Sequence, residues 1–335
     1  MTGFGGRNYS RRDALRFGAV GAGVAALTAA CGGSGGPGGS GDPVTIAIGY
    51  GISYAPLTII KAKGWLDRTL KGREVAWTYL SGGSANRDAM LAGKVQIGTS
   101  GLGPFLISAD SGVPWKIVSG LNDMPLWLVA KDPRITGLKS FRPNDKISAP
   151  QPGSIQSVML QKAAQEQLGD PHALDANLAS MDHPSALQAL LGGQIAGAYT
   201  SPPYEFQAVE DGARKLVDSY DLFGRHGFNV VTATDEYADK NADVLAAVLT
   251  AIGRANDFIA KDPEQAAAIL SKAEKGKISA KKYEKYLTWK GIVFTTAPHS
   301  IVKIGTFMKQ VGVIKKTPGD WQSYVFDTVR KEDGS

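Results

Sequence analysis

"SAPQPGSIQSVML", Ser148 to Leu160, reads as the end of a strand, a Pro/Gly break and the opening of a helix. From Ile155 the apolar residues Ile155, Val158, Met159 and Ala163 recur at helical spacing, and Gly169 supplies a stop. Ser154 stands just before that stripe, where an N-cap belongs. The free amides at such a helix start either need only a cap, as in a plain connection, or hold a ligand. The turn alone leaves both readings open.

A related arrangement occurs twice elsewhere. Ser84 opens a helix ending at Leu91-Ala92-Gly93, then comes the strand Val95-Gln96-Ile97, then Gly98-Thr99-Ser100. Further on, Ser185 opens a helix ending at Leu191-Gly192-Gly193, the strand Ile195 to Tyr199 follows, and then Thr200-Ser201-Pro202. Each is a helix feeding a short buried strand whose C-terminal end carries small hydroxyl residues. Two such units predict two similar α/β lobes. Ligands of open α/β sheets bind beyond the carboxyl ends of strands, where these hydroxyls lie.

Around these units, "VTIAIGYG" (Val44 to Gly51) is a β-rich run, and "YAPLTIIKAKGWLDR" a helix with Pro56 near its first turn and Gly64 at its end. Gly49-Tyr50-Gly51-Ile52-Ser53-Tyr54 misses a dinucleotide fingerprint, because Tyr54 occupies the third glycine position. The region from Asn241 to Ala273 is helical by pattern, with Val244, Leu245, Val248, Leu249 and Ile252 on one face. "TTAPHSIVKIGTFMKQVGVI" reads as a further amphipathic helix. These late helices show no chemistry and are expected to cover the first lobe.

The chain has 335 residues, enough for two lobes, with 43% hydrophobic and 20% charged residues, as in a packed soluble protein. Its net charge is +6, of which residues 1–30 supply +3 through Arg7, Arg11, Arg12 and Arg16 against Asp13. The remaining +3 is small and scattered, so no nucleic-acid partner is expected. Cys31 is the only cysteine, which excludes a disulfide framework or a cysteine-based metal cluster within one chain. His172, His183, His226 and His299 never reach metal-ligand spacing, and no cofactor or metal is expected.

"SRRDALRFGAVGAGVAALTAACGG" (Ser10 to Gly33) has a charged start, then a small-residue apolar stretch too short and glycine-rich to span a bilayer. It resembles a twin-arginine signal peptide, although Ala14 departs from the usual aromatic residue. It also resembles a lipoprotein signal ending at Ala29-Ala30-Cys31, with Thr28 where a branched aliphatic is commoner. "GGSGGPGGSGD" (Gly32 to Asp42) is a flexible tether with a reach of about 18 Å. An acylated Cys31 on such a leash would hold a soluble domain at the outer face of a membrane; a free cysteine beside an ordinary secretory signal is the alternative. Residues 1–30 thus read as a signal peptide and 31–42 as lipidated cysteine and linker.

From Val44 onward the chain resembles the substrate-binding proteins of ABC importers, in the group taking up nitrate, sulfonates, taurine and thiamine-pyrimidine precursors. The resemblance rests on the order and spacing of "IGYGISYAPLTIIKAKGWLD", "SGGSANRDAMLAGKVQIGTSGLGPFLISADSGVPWKIVSG", "KISAPQPGSIQSVMLQKAAQEQLG" and "ALLGGQIAGAYTSPPYEFQAVEDG". It implies an α/β, two-lobed, periplasmic-binding-protein-like (type II) fold with a ligand cleft between lobes. Lobe one is then 43–141, lobe two 142–229, and 230–335 returns to lobe one with the C-terminal helices. Cleft positions carried over are Ser53, Tyr54, Gly82, Gly83, Thr99, Ser100, Asn122, Asp123, Gly153, Ser154, Ile155, Gln156, Ser201, Pro202 and Glu205. Ordinary turns account equally for Ser53, Tyr54, Gly82, Gly83, Asn122 and Asp123, and a plain cap ahead of Pro104 is the lesser alternative for Ser100.

The implied function is capture of a small-molecule ligand without catalysis, by an exported, lipid-anchored monomer that delivers it to an ABC permease and ATPase. Helix starts after Ser100 and Gly153, pointing into one cleft, suit an anion such as a sulfonate. Asp123 or Glu205 would receive an amine, as in an aminosulfonate. Tyr50, Tyr54, Trp127, Tyr199 and Tyr204 keep a flat heterocycle open as the alternative. An enzyme resembling pyrimidine synthases is disfavoured, because no cysteine follows Cys31. Gly98-Thr99-Ser100-Gly101-Leu102 also misses the last glycine of a nucleophile elbow.

Overall fold

In the computed structural model, which describes residues 42–80, 82–316 and 318–335, ten strands alternate with helices. Cys31, the leader before it and the tether as far as Gly41 lie outside the described residues. The strands are β1 (Val44–Ile48), β2 (Val75–Tyr79), β3 (Gly98–Gly101), β4 (Trp115–Asp123) and β5 (Trp127–Ala130), followed by β6 (Ile147–Ala149), β7 (Leu178–Ser180), β8 (Gly197–Thr200), β9 (Arg214–Asp218) and β10 (Gly227–Thr234).

Two groups of strands share one pattern. β1 pairs in parallel with β2, and β10 lies antiparallel between β3 and β4. A bridge from Ile46 to Ile97 joins these two small sheets along the approach to β3. The second group is one sheet, β7-β6-β8-β5-β9, with β5 antiparallel between β8 and β9. In each group, then, one strand arrives from the other side of a crossing and runs against its neighbours. The chain crosses at Met124–Leu126 and again between Asp218 and Gly227. The sequence reading placed the first crossing at Phe141, but Trp127–Ala130 already belongs to the second sheet. Pro125 explains the early step: it has no N–H to offer the ladder, so β4 ends there. The two crossings are tied together. His226 Nδ1 donates to the Gly227 carbonyl at 3.0 Å, which leaves Nε2 to accept from the Ser219 hydroxyl at 2.7 Å. Ser219 Oγ in turn accepts the Leu126 N–H at 2.8 Å.

The helices are α1 (Ala55–Lys63), α2 (Trp65–Thr69), α3 (Gly83–Leu91), α4 (Leu102–Asp110), α5 (Ile155–Leu168), α6 (His183–Leu191) and α7 (Tyr204–Glu210). After them come α8 (Ser219–Phe223), α9 (Asp235–Lys240), α10 (Ala242–Lys261), α11 (Pro263–Ala273), α12 (Ala280–Leu287) and α13 (Ile301–Gln310). α5 starts behind Ser154, whose side chain accepts the Ser157 N–H, and stops at Gly169 in the left-handed conformation. α1 likewise carries Pro56 in its first turn and ends at Gly64. The predicted helix over 241–273 is split, because Asp262 caps a new start with Pro263 in its first turn. The short strands lie two to three residues later than their apolar runs suggested. Gly98–Gly101 has little β propensity of its own and is strand because β10 pairs with it.

α10 buries Val244, Leu245, Val248 and Ile252 and packs on α1, α2 and β4 of the first group. α12 departs from the expectation that the late helices cover the first lobe only. Its Lys282 and Lys285 each pair with Glu210 of α7 at 2.9 Å, and nearby Trp289 packs on Phe206 and Trp127.

Candidate binding cleft

A cavity of about 960 Å³ opens between the two groups of strands. Its polar end is built by helix starts. Glycine is needed twice for their approach. A Cβ on Gly83, the first residue of α3, would lie 2.6 Å from Pro104 Cβ and 2.8 Å from Ser100 Oγ. One on Gly103, in the first turn of α4, would lie 2.8 Å from the Gly153 carbonyl oxygen and 3.1 Å from the Ile155 nitrogen. Hence α3 abuts α4, and α4 abuts α5, all at their N-termini. The starts of α3 and α4 have no side-chain cap. At α5 the first helical bond runs from Val158 N to Ser154 O, so the Ile155 and Gln156 amides lie ahead of the ladder. Gln151 Nε2 donates to Ser84 Oγ at 3.2 Å, linking the two sides of the cleft.

The charged residues lining the cavity are Asp182, Glu274, Lys275 and Lys277. Asp182 caps α6 by accepting the Ser185 N–H at 2.8 Å, and this bonding holds its carboxyl below the usual range. Glu274 accepts the Gly51 N–H at 2.6 Å. Both lysines are exposed. The described lining therefore holds no buried cation, and an anion would be met by backbone amides and neutral donors.

Of the residues singled out from the sequence, Ser53, Tyr54, Gly82, Gly83, Ser154, Ile155, Gln156, Ser201 and Pro202 are brought together on the cavity lining. Thr99, Ser100, Asn122, Asp123, Gly153 and Glu205 stand behind it. Thr99 N–H donates to Asn86 Oδ1, Ser100 Oγ to the Gly101 carbonyl, and Asn122 Nδ2 to the Ser53 carbonyl at 2.6 Å. Gly153 has Ile107 filling the direction of its absent side chain. Asp123 is fully buried at the first crossing, where His299 Nδ1 donates to it at 2.8 Å and Arg225 Nε lies at 3.2 Å. The bond to Asp123 raises the His299 pKa, and Nε2 donates to the Asp333 carbonyl, so both ring nitrogens act as donors. The Asp123 charge is thus met away from the cavity. Glu205 is also fully buried and accepts the Trp127 N–H at 3.1 Å; burial pushes its carboxyl well above the usual range. Burial thus favours the neutral acid, which attracts an amine far less than a carboxylate does. Neither carboxylate reaches the position an aminosulfonate's amine was expected to need.

Other lining residues were missed, among them Tyr79, His183, Phe228 and Asn229. His183 opens α6 directly after its Asp182 cap, and Thr200 Oγ1 sits 2.8 Å from its Nδ1. Burial lowers its pKa to about 4, so the ring is neutral at pH 7. Strand, capping residue, helix start is the same signal that found Ser154; placing the helix start at Ser185 hid it here. Asn229 carries no local signal, since it reaches the cavity only by pairing beside Gly101 in β10.

The chain is 24% identical to the taurine-binding periplasmic protein of Escherichia coli, over 84% of this chain and 91% of that one. The crystal structure of the periplasmic aliphatic sulphonate binding protein SsuA from Escherichia coli superposes with a TM-score of 0.67 at 20% identity, covering 86% of this chain and 99% of that one. A Candida albicans protein described as having the generic periplasmic binding protein structural fold superposes at 0.65 with 14% identity, over 85% and 96% of the two chains. The fold is therefore that of the periplasmic binding proteins. The sequence profile of the NMT1-like family matches residues 39–273, and the chain belongs to that family.

Proposed function

We propose that this protein is the extracytoplasmic solute-binding component of an ABC importer and captures a small organic anion of the sulfonate, taurine or nitrate type by closing its lobes. The observation that carries this reading is the convergence of the α3, α4 and α5 starts on one cavity whose described lining holds no buried cation. Helix N-termini carry about half a positive charge each, and their leading amides are ready donors. The proteins it resembles are named for taurine and aliphatic sulphonates, which agrees with an anionic ligand. Binding is followed by hand-over to a permease and its ATPase, not by turnover.

Ser154→Asp tests the anion. Asp caps a helix about as well as Ser and its charge suits the helix start, so the change in ligand-free stability is limited to the cost of burying the carboxylate, which urea unfolding reads separately. A carboxylate would then stand at a buried position on the cavity wall, Ser154 being 4% exposed. Like charges so placed cost several kcal/mol, and titration calorimetry with ethanesulfonate or taurine should show at least about a hundredfold loss. Unchanged binding and stability would reduce Ser154 to a cap and remove the anion. A neutral heterocycle is the second reading, favoured by the tyrosines on the lining; its affinity would survive this change. Anchoring through Cys31 completes the proposal, and Cys31→Ala should move the protein from the membrane to the soluble fraction. Fractionation identical to wild type would refute the anchor.

A further inference from the structure

The walls of the cavity carry aromatic rings from both groups of strands. Tyr50 and Tyr79, from the first group of strands, stack with ring centroids 4.6 Å apart and planes 11° from parallel. They remain 61% and 39% exposed, so the stack is not part of a core. Lys61 Nζ lies 4.6 Å from the Tyr79 centroid, which leaves Tyr50 as the ring with area to offer. Opposite, His183 lies nearly parallel to Tyr204, centroids 5.8 Å apart at 16°. Thr200 at 2.8 Å and Gln156 at 3.4 Å fix the imidazole. The two walls approach each other at one end, since a Cβ on Gly51 would lie 3.4 Å from Pro203 Cδ. Gly51 adjoins Tyr50, and Pro203 adjoins Tyr204.

We propose that the captured anion carries a flat ring, as an arylsulfonate or aryl carboxylate does, with its acid group at the α3–α4–α5 starts and its ring against Tyr50 and the His183–Tyr204 pair. This rests on the anion reading above and adds the ring to it. Offset stacking on two such surfaces is worth about tenfold or more in affinity.

The test is titration calorimetry of the full chain with benzenesulfonate, ethanesulfonate and benzyl alcohol, repeated for Tyr50→Ala and Tyr50→Phe. Benzenesulfonate should bind at least about tenfold tighter than ethanesulfonate. Tyr50→Ala should abolish that preference while leaving ethanesulfonate unchanged, and Tyr50→Phe should restore it. Equal affinities for the two sulfonates, or an equal loss of both in Tyr50→Ala, overturns the ring and leaves the anion reading standing. Benzyl alcohol binding as tightly as benzenesulfonate overturns the anion reading and this inference together, and so does failure of both sulfonates to bind.

Discussion

Replacing Gly103 by alanine perturbs the cleft without altering its polar chemistry. The new methyl would meet the Gly153 carbonyl oxygen at 2.8 Å, Ile155 N at 3.1 Å and Ile155 Cα at 3.3 Å. All three are backbone atoms at the α5 start, so no side chain can rotate out of the way. Regaining ordinary contact requires the α4 and α5 starts to part by about 0.5 Å, a gap that forfeits much of their dispersion attraction. Overpacking of this kind costs about 1–3 kcal/mol of stability. The same displacement carries the Ile155 and Gln156 amides out of line with an anion bound across the two starts. A hydrogen bond to a charged group is worth about 1.5–3 kcal/mol, so losing one weakens binding roughly 10- to 100-fold. Titration calorimetry with ethanesulfonate at fixed ionic strength, beside urea unfolding, measures both effects. Wild-type affinity together with a wild-type urea midpoint would refute the reasoning, because the two starts would then not be in the contact that positions those amides.

Gly253→Ala, in α10 where a Cβ meets nothing within 4 Å, should raise stability by about 0.5–1 kcal/mol and leave binding alone; a lower urea midpoint would contradict this. Glu205 has a folded pKa above its ordinary value of 4.5 through burial, so its contribution to stability is full below pH 4.5 and fades as pH rises. Glu205→Gln keeps the acceptor for Trp127 N–H and should remove that fading; a loss of about 3 kcal/mol at neutral pH that disappears toward low pH, as when a buried ion pair is broken, would sink the neutral-acid assignment. His183 has the opposite sign: its folded pKa of about 4 lies below 6.5, so ligand-free stability is full above pH 6.5 and falls toward pH 4. His183 lies 3.4 Å from Gln156 at the α5 start, so an anion held there would raise that pKa against the influence of burial, and its binding just above the free value of about 4 should take up a proton, which calorimetry in buffers of different ionisation enthalpy detects; equal heats would place the charge toward the α3 and α4 starts instead. Lobe closure predicts a smaller radius of gyration by small-angle scattering at ligand saturation, and an unchanged curve for saturated protein would count against it.

Local chemistry was enough for the elements that carry their own signals. Ser154 and Gly169 bound α5, and Pro56 and Gly64 bound α1, because caps and left-handed glycines act within a turn of the residues that show them. The α/β class and the pairing of helix starts with small hydroxyl residues followed from the same short-range patterns. The late helices were legible by periodicity, but the Asp262-Pro263 break and the bridging role of α12 were not recognised.

Tertiary structure decided which of those turns share a cavity. Ser53, Tyr54, Gly82, Gly83, Ser154 and Ser201 meet there, whereas Thr99, Ser100 and Asn122, with the same kind of local signal, turn their bonds inward. Asp123 and Glu205 show the difference most sharply. A carboxylate near a strand end looks like a ligand contact in sequence, but His299 and Arg225, far along the chain, claim Asp123, and burial behind the lining pushes the Glu205 carboxyl toward its neutral form. Strand membership was likewise settled at long range, with Trp127–Ala130 assigned to the second sheet by partners near residues 200 and 215. The reason is common to all of these cases: caps and helix periods are fixed by neighbours within a few residues, while side-chain direction, protonation and strand pairing depend on partners that only the folded chain brings within a few ångströms.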